Sequence, residues 1–225
     1  MTVAQNLARV RDRITAAGGD ADRIRIVAVT KGQPVEAVRE AVAAGLDDIG
    51  ENYAQELVAK VEALDTGGDA SSRVRWHFIG QLQRNKVRAI AADVALWQSV
   101  DRLTLANEIA RRAPGASVLV EVNLTDDAGR GGARPELVPG IVDGARDLGL
   151  DVRGLMAVGP AGGAEAARPG FTAVCDLADR LGLPERSLGM SGDLEVAVQS
   201  GTTMVRIGTA LFGERPRVAR KSMEN

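Results

Sequence analysis

The chain has 225 residues, 45% of them hydrophobic, and its 28 lysines and arginines against 30 acidic residues leave a net charge of −2. That length supports one sizeable core, and the charge balance argues against a dedicated nucleic-acid binder, which needs a basic face. No apolar run is long enough to span a bilayer and the first residues lack the apolar centre of a signal peptide, so a cytoplasmic protein with no membrane attachment is expected, acting as a monomer.

Val3, Leu7, Val10 and Ile14 fall on one stripe of an amphipathic N-terminal helix. The run Arg23–Gly32 (RIRIVAVTKG) is dense in β-branched residues and fits a strand buried on both faces, as in a parallel sheet. It ends at Thr30-Lys31-Gly32. Pro34 then opens a helix over 35–44, in the first turn where proline is tolerated, with Gly45 as its stop. A short second strand is predicted at 46–50, a helix at 54–64 and a polar, glycine-rich surface loop at 65–72. The third strand is 74–79, followed by a basic helix start at Arg84. The fourth is 95–100, with Asp101 as the expected N-cap of a helix over 102–112. Residues 117–123 form the fifth strand and 124–134 a flexible loop, after which Pro135 starts a helix running to 148. The sixth strand is 152–158, and 159–170 is a mobile Gly/Ala/Pro segment. A helix follows at 171–181, where Cys175 reads as a core residue. A short seventh strand at 187–190, a helix at 194–200, an eighth strand at 203–207 and a last turn at 210–212 complete the pattern. Residues 214–225 are charged and aperiodic and are expected to fray.

This is eight strand–helix units in unbroken alternation, preceded by one extra helix. Such alternation implies parallel strands with right-handed crossovers, and eight units imply an α/β fold of the (β/α)8 TIM-barrel type in a single domain, 1–225. No GxGxxG follows the first strand, which weakens a dinucleotide-binding alternative.

In such a barrel, ligands sit at the carboxyl ends of the strands. Lys31 is the only lysine at a predicted strand exit. One reading is a snorkelling side chain whose stem is buried and whose charge reaches water. The other is a Schiff-base lysine, whose partly desolvated amine has a lowered pKa and attacks carbonyls. The exits of strands seven and eight, Ser191-Gly192 and Gly208-Thr209, each couple small residues to free backbone N–H groups at a helix start, which suits phosphate. Ordinary capping, with Asp193 as a cap, is the plainer explanation of either loop alone. Arg206 shares the orientation of Gly208 by strand alternation. It pairs with a carboxylate such as Glu121 or points at a ligand nitrogen. An aldehyde-seeking lysine, a phosphate cup and a ring contact together fit pyridoxal 5′-phosphate.

The segments AVTKG (28–32), IGENYAQE (49–56), WHFIGQLQRNK (76–86), GLMAVGP (154–160), LGMSGD (188–193) and VRIGTALFG (205–213) resemble the pyridoxal-phosphate homeostasis proteins, from about residue 5 to 213. The resemblance implies a barrel like the N-terminal domain of alanine racemase. It implies that Lys31 forms the internal aldimine and that Ser191, Gly192, Gly208 and Thr209 hold the phosphate. Arg206 would face the pyridine nitrogen, and Asn52, His77 and Met156 would line the cofactor. One departure is visible: the loop after the fifth strand usually carries Ser-Lys-x-Gly and here reads AGRGGA (128–133), where Arg130 is the available positive charge.

The resemblance implies a carrier of intracellular pyridoxal phosphate, with apo forms of enzymes using that cofactor as partners, and not an enzyme. The residues give separate reasons. A guanidinium stays charged and only donates, so beside Arg206 the pyridine nitrogen stays unprotonated and the cofactor is a weak electron sink. A two-base racemase needs a second acid–base group across from the lysine, and only Tyr53 and His77 are tyrosine or histidine candidates. The resemblance adds that racemases of this barrel class also take residues from a second domain, and no such domain is expected here. No catalytic residue and no metal ligand is assigned. The rival readings are a racemase of low activity and a class I aldolase using a lysine Schiff base.

Overall fold

The computed structural model describes residues 1–65, 73–125 and 129–214. Most of the predicted 65–72 loop, the tip of the 124–134 loop and nearly all of the predicted frayed tail lie outside these residues. Among the described residues, eight parallel strands close into a barrel in sequence order, with β1 hydrogen-bonded to β8. The strands are β1 (Arg25–Val29), β2 (Asp48–Glu51), β3 (Arg75–Phe78), β4 (Val94–Val100), β5 (Ser117–Val122), β6 (Asp151–Ala157), β7 (Glu185–Ser187) and β8 (Met204–Ile207). The helices are α1 (Val3–Ala16), α2 (Val35–Ala43), α3 (Ala54–Asp65), α4 (Arg84–Ile90), α5 (Leu103–Arg112), α6 (Val138–Asp147), α7 (Arg168–Arg180), α8 (Leu194–Gln199) and α9 (Thr209–Phe212).

Two apolar layers follow from the alternation of side chains along each strand. The larger lies between the strands and the helix ring and takes the buried stripe of α1: Leu7, Val10 and Ile14. The smaller fills the barrel interior with Val27, Leu96, Leu119, Met156 and Met204. Helix α1 starts with a reciprocal cap: the Gln5 N–H donates to Thr2 Oγ1 at 3.2 Å, and the Thr2 N–H donates to Gln5 Oε1 at 3.0 Å. It then packs on α8 and α9.

Two local expectations are corrected. Strand β7 ends at Ser187, where 187–190 was expected to begin it. Leu188 and Gly189 instead run on beside β8 as irregular chain, the Leu188 N–H donating to Met204 O and the Arg206 N–H to Gly189 O, each at 3.0 Å. Asp101 does not cap α5. Arg102 holds the cap position and takes the Asp101 carboxylate as its own ion partner, so that carboxylate is not spent on the helix amides.

Candidate functional site

A cavity of about 370 Å³ opens at the carboxyl ends of the strands, and its wall includes Lys31, Asn52, Ser191, Gly192, Arg206, Gly208 and Thr209. That volume is within the range of small-ligand sites.

Lys31 lies in a tight turn at the end of β1. The Gln33 N–H donates to Thr30 O at 2.9 Å, and Gly32 takes φ +69°, which a side chain at that position would resist. The backbone is pinned on both sides. Before Lys31, Thr30 O accepts from Lys60 Nζ at 2.7 Å, and Thr30 Oγ1 donates to Glu51 Oε1 at 2.6 Å. After it, the Gly32 N–H donates to Glu56 Oε2 at 2.7 Å. Lys60 and Glu51 form a buried ion pair at 2.5 Å. Burial raises the Glu51 carboxyl above its ordinary pKa, although Lys60 and the Thr30 hydroxyl pull the other way. Sequence reasoning missed this pair. The signal was present: Lys60 falls in register with Ala54, Leu57 and Leu64 on the buried stripe of α3.

The two loops opposite are joined. Ser191 Oγ accepts from the Ala210 N–H at 3.2 Å, so one hydroxyl bridges the start of α9 to the loop before α8. Among the described residues, the backbone N–H groups of Ser191, Gly192 and Thr209 have no acceptor within the chain. Helices α8 and α9 have six and four residues. Their dipoles are small, so the unpaired amides are what favours an anion here. Asp193 does not cap α8 with its side chain; Oδ1 accepts from the Met190 N–H at 2.6 Å and folds the loop back.

Arg206 is 4% exposed. Nη1 donates to Ser187 O at 2.6 Å and to Ser187 Oγ at 2.7 Å, and Nη2 donates to Ala157 O at 2.8 Å. These acceptors replace the direct ion pair with Glu121 that the sequence left open. Glu121 acts at longer range. Its carboxyl is pushed up to about 7 by burial and by Asp101, against the opposing pull of Arg206 and Arg130. Burial also lowers the Arg206 pKa to about 10, which leaves it charged at neutral pH.

Asn52 offers a further clue. Its Oδ1 is buried without a partner, at the wall of the cavity. Gly80 makes room for this residue: a Cβ there would lie 2.2 Å from Asn52 O.

His77 and Met156 are not brought to this cavity. Both face into the barrel, but one layer below its rim. Met156 packs in the interior apolar cluster, and Val158, two residues further along the chain, reaches the cavity instead. His77 hydrogen-bonds Asp48 and Gln98 and lines a separate cavity with Arg25, Arg75 and Arg153 at the amino ends of the strands. Arg130 lines a third cavity and donates from Nη2 to Gly159 O at 3.0 Å, tying the β5 loop to the β6 loop. Tyr53 is 57% exposed and lines a neighbouring cavity together with Asn52. Among the described residues, no group of three or more His, Cys, Asp or Glu could hold a metal ion, and no helix is long and apolar enough to cross a membrane.

A lysine, unpaired amides and a buried guanidinium as donors, with an orphaned amide oxygen as acceptor, surround one cavity and suit a phosphorylated carbonyl compound. Comparison with known proteins gives the class. Residues 2–216 match the family model described as alanine racemase, N-terminal domain. Alanine racemase from Clostridium difficile 630 superposes with a TM-score of 0.67 at 18% identity, covering 94% of this chain and 57% of that one, a likeness of fold. The barrel is thus of the alanine racemase N-terminal type. Within that class, the chain belongs to the pyridoxal phosphate homeostasis protein family. It is 41% identical to the Pseudomonas aeruginosa member, over 95% of this chain and 96% of that protein. Against the Escherichia coli K12 member it is 38% identical, over 95% and 97%. PipY from Synechococcus elongatus PCC7942, solved with pyridoxal phosphate bound, superposes with a TM-score of 0.80 at 31% identity, covering 94% of this chain and all of PipY.

Proposed function

We propose that this protein holds pyridoxal 5′-phosphate in the cavity at the carboxyl ends of its strands, and buffers it or delivers it to apoenzymes in the cell. The observation that carries the reading is the meeting of Lys31 with the Ser191-Gly192 and Gly208-Thr209 loops around one cavity. The names of its curated relatives and the ligand in PipY support it.

The residues divide the work by chemistry. Lys31 supplies the amine that attaches the aldehyde. The amides of Ser191, Gly192 and Thr209, with the Ser191 hydroxyl, bind the phosphate. Gly208 keeps the β8 exit close against Val29, since a Cβ there would lie 3.2 Å from Val29 O. Arg206 would meet the pyridine nitrogen as a fixed donor, and Asn52 Oδ1 would accept one ligand hydrogen bond. When bound, the cofactor supplies an electrophilic aldehyde conjugated to an aromatic ring. A carrier role is favoured over racemisation because neither Tyr53 nor His77 lines this cavity to serve as the second acid–base group that a two-base reaction needs.

Borohydride reduction of the loaded protein and peptide mass analysis test the reading. A phosphopyridoxyl adduct on Lys31 is expected; an adduct mainly on Lys60 or Lys86 would overturn it. Charge-assisted hydrogen bonds contribute roughly 1.5–3 kcal/mol each, so pyridoxal should bind orders of magnitude more weakly than its phosphate. Equal affinities would reduce the two loops to simple turns. Exchange of solvent deuterium into the α-carbon of alanine or serine, faster than with free cofactor, would favour an enzyme.

A further inference from the structure

Arg206 does not end at Ser187. A chain of buried side chains continues from it down the barrel interior. Ser187 Oγ donates to Gln98 Oε1 at 2.7 Å, Gln98 Nε2 lies 2.7 Å from His77 Nδ1, and His77 Nε2 lies 3.0 Å from Asp48 Oδ1. Arg75 closes the far end on the same carboxylate, with Nε at 2.9 Å from Oδ1 and Nη2 at 2.8 Å from Oδ2. The residues come from β8, β7, β4, β3 and β2, and every link from Arg206 to Asp48 is buried. One end lies at the proposed cofactor cavity and the other at the cavity on the opposite face of the barrel.

The network that leaves no group in the chain unpaired has one set of bond directions. A guanidinium has no acceptor, so Ser187 Oγ accepts from Arg206. Its single hydroxyl hydrogen then goes to Gln98 Oε1. That fixes the amide, whose NH2 faces His77 Nδ1 and, with its second hydrogen, Met204 Sδ at 3.3 Å. Nδ1 is therefore a bare acceptor, the ring proton sits on Nε2, and the Asp48 carboxylate accepts it. The other end demands the same polarity: Arg75 donates to both oxygens of the Asp48 carboxylate, which is therefore an acceptor towards His77. A proton on Nδ1 would face the Gln98 NH2. Turning the amide over to meet it would leave Ser187 without its acceptor. The groups around the far end are Arg25, Arg75, Arg153, Asp48 and Glu185, and of these Arg75 and Asp48 belong to the chain.

We propose that Gln98 and His77 are positioning residues for Arg206, acting through Ser187. Together these side chains form a one-way hydrogen-bond relay that locks the guanidinium in the ligand cavity and links that cavity to the opposite mouth of the barrel. The relay itself stands on the protein alone; its effect on the ligand rests on the cofactor reading above.

His77 is the single histidine of the chain, so its ring nitrogens can be read without ambiguity in protein labelled with 15N-histidine. In the cofactor-free protein, the expected spectrum is a ring with the proton on Nε2 and Nδ1 in its acceptor state. A proton on Nδ1, or a charged ring, would overturn the relay. Ser187→Ala removes one link and should shift the Nδ1 resonance, and Gln98→Met serves the same purpose if Ser187→Ala does not fold. Addition of pyridoxal phosphate should move the His77 resonances in the parent protein and leave them still in either variant. Each variant should also lose about tenfold in affinity, the equivalent of one hydrogen bond. Binding seen by absorbance with no movement at His77 would refute the coupling. Failure to bind at all would refute the cofactor reading, while the tautomer of the unliganded protein still decides the relay.

Discussion

Removal of the Lys60 ammonium tests the idea that a buried charge cluster holds Lys31 in place. Lys60 Nζ is 2.5 Å from Glu51 Oε1, 2.7 Å from Thr30 O and 3.8 Å from Glu56 Oε2. Glu51 is fully buried, and its second oxygen has no partner. In Lys60→Met the carboxylate would retain only the Thr30 hydroxyl. Removing one member of a buried pair costs roughly 3–5 kcal/mol, a large share of the ~5–15 kcal/mol that stabilises a folded domain. The loss has a definite pH dependence. Glu51 is already raised above its ordinary pKa by burial, and without Lys60 it rises further. A carboxyl raised in the folded state binds a proton that the unfolded chain releases, so folding weakens as pH climbs above the unfolded value of about 4.3. Lys60→Met should therefore be much less stable than the parent at pH 8 and closer to it at pH 5. Urea titration at both pH values measures this, with the midpoint moving and the slope unchanged. Lys60→Met combined with Glu51→Leu removes both charges and should recover most of the loss. A penalty below about 1 kcal/mol at pH 8, or a double variant as unstable as the single one, would refute the reasoning.

Glu121→Gln should stabilise the protein at pH 8 and be nearly neutral at pH 5. The carboxyl is raised from 4.5 to about 7, so the parent loses up to roughly 3 kcal/mol between those values; parallel curves would show that Glu121 is not the titrating group. Gly80→Ala should cost roughly 3 kcal/mol, because its Cβ meets backbone at Asn52 O and Cα, 2.2 and 2.7 Å away. Calorimetry should show this as a fall in Tm of about 6–12 °C, with weaker cofactor binding as Asn52 is displaced.

The barrel was legible because strands such as β1 and β5 are announced by their own β-branched runs and helices such as α1 and α7 by their own stripes, whereas the short β2 and β7 carry no such run. The Lys31, Arg206 and Gly208 positions followed, since a strand exit is a local property once the strand's end is known, whereas β7 ends at Ser187, short of Ser191. His77 and Met156 were harder for a reason of geometry. Alternation says that they face into the barrel, but the layer each occupies depends on how far neighbouring strands are staggered, which no single strand encodes. His77 pairs in register with Gly50 and Leu96, which puts it beneath the rim. The Glu51–Lys60 pair was hidden differently. A charge on a buried helical stripe is legible as an anomaly, but its partner lies on another element. Asp101 shows a third limit: an acidic residue before a helix has the identity of a cap, yet its neighbour Arg102 competes for the carboxylate at closer range.

The extra helix α1 acquires a purpose from the same geometry. A barrel closes without it, yet its polar residues reach the two loops that present unpaired amides. Arg13 Nη2 donates to Ser191 O at 3.0 Å while its guanidinium holds Glu195 on α8, with Nε 2.6 Å from Oε1. Asn6 Nδ2 donates to Leu211 O at 2.7 Å on α9. The helix thus grips the carbonyl side of the Ser191 loop and the helix that follows Gly208. Short helices of six and four residues cannot fix their own first amides by propagation alone, because each has barely nucleated. A long, capped helix laid across both can hold them. On this view, α1 rather than the helix dipoles sets the spacing of the proposed anion cup, and the bridge from Ala210 N–H to Ser191 Oγ joins the two loops that it holds. The barrel therefore orders its ligand cavity from two directions: from outside, where α1 clamps the loops, and from within, where the polar relay holds Arg206.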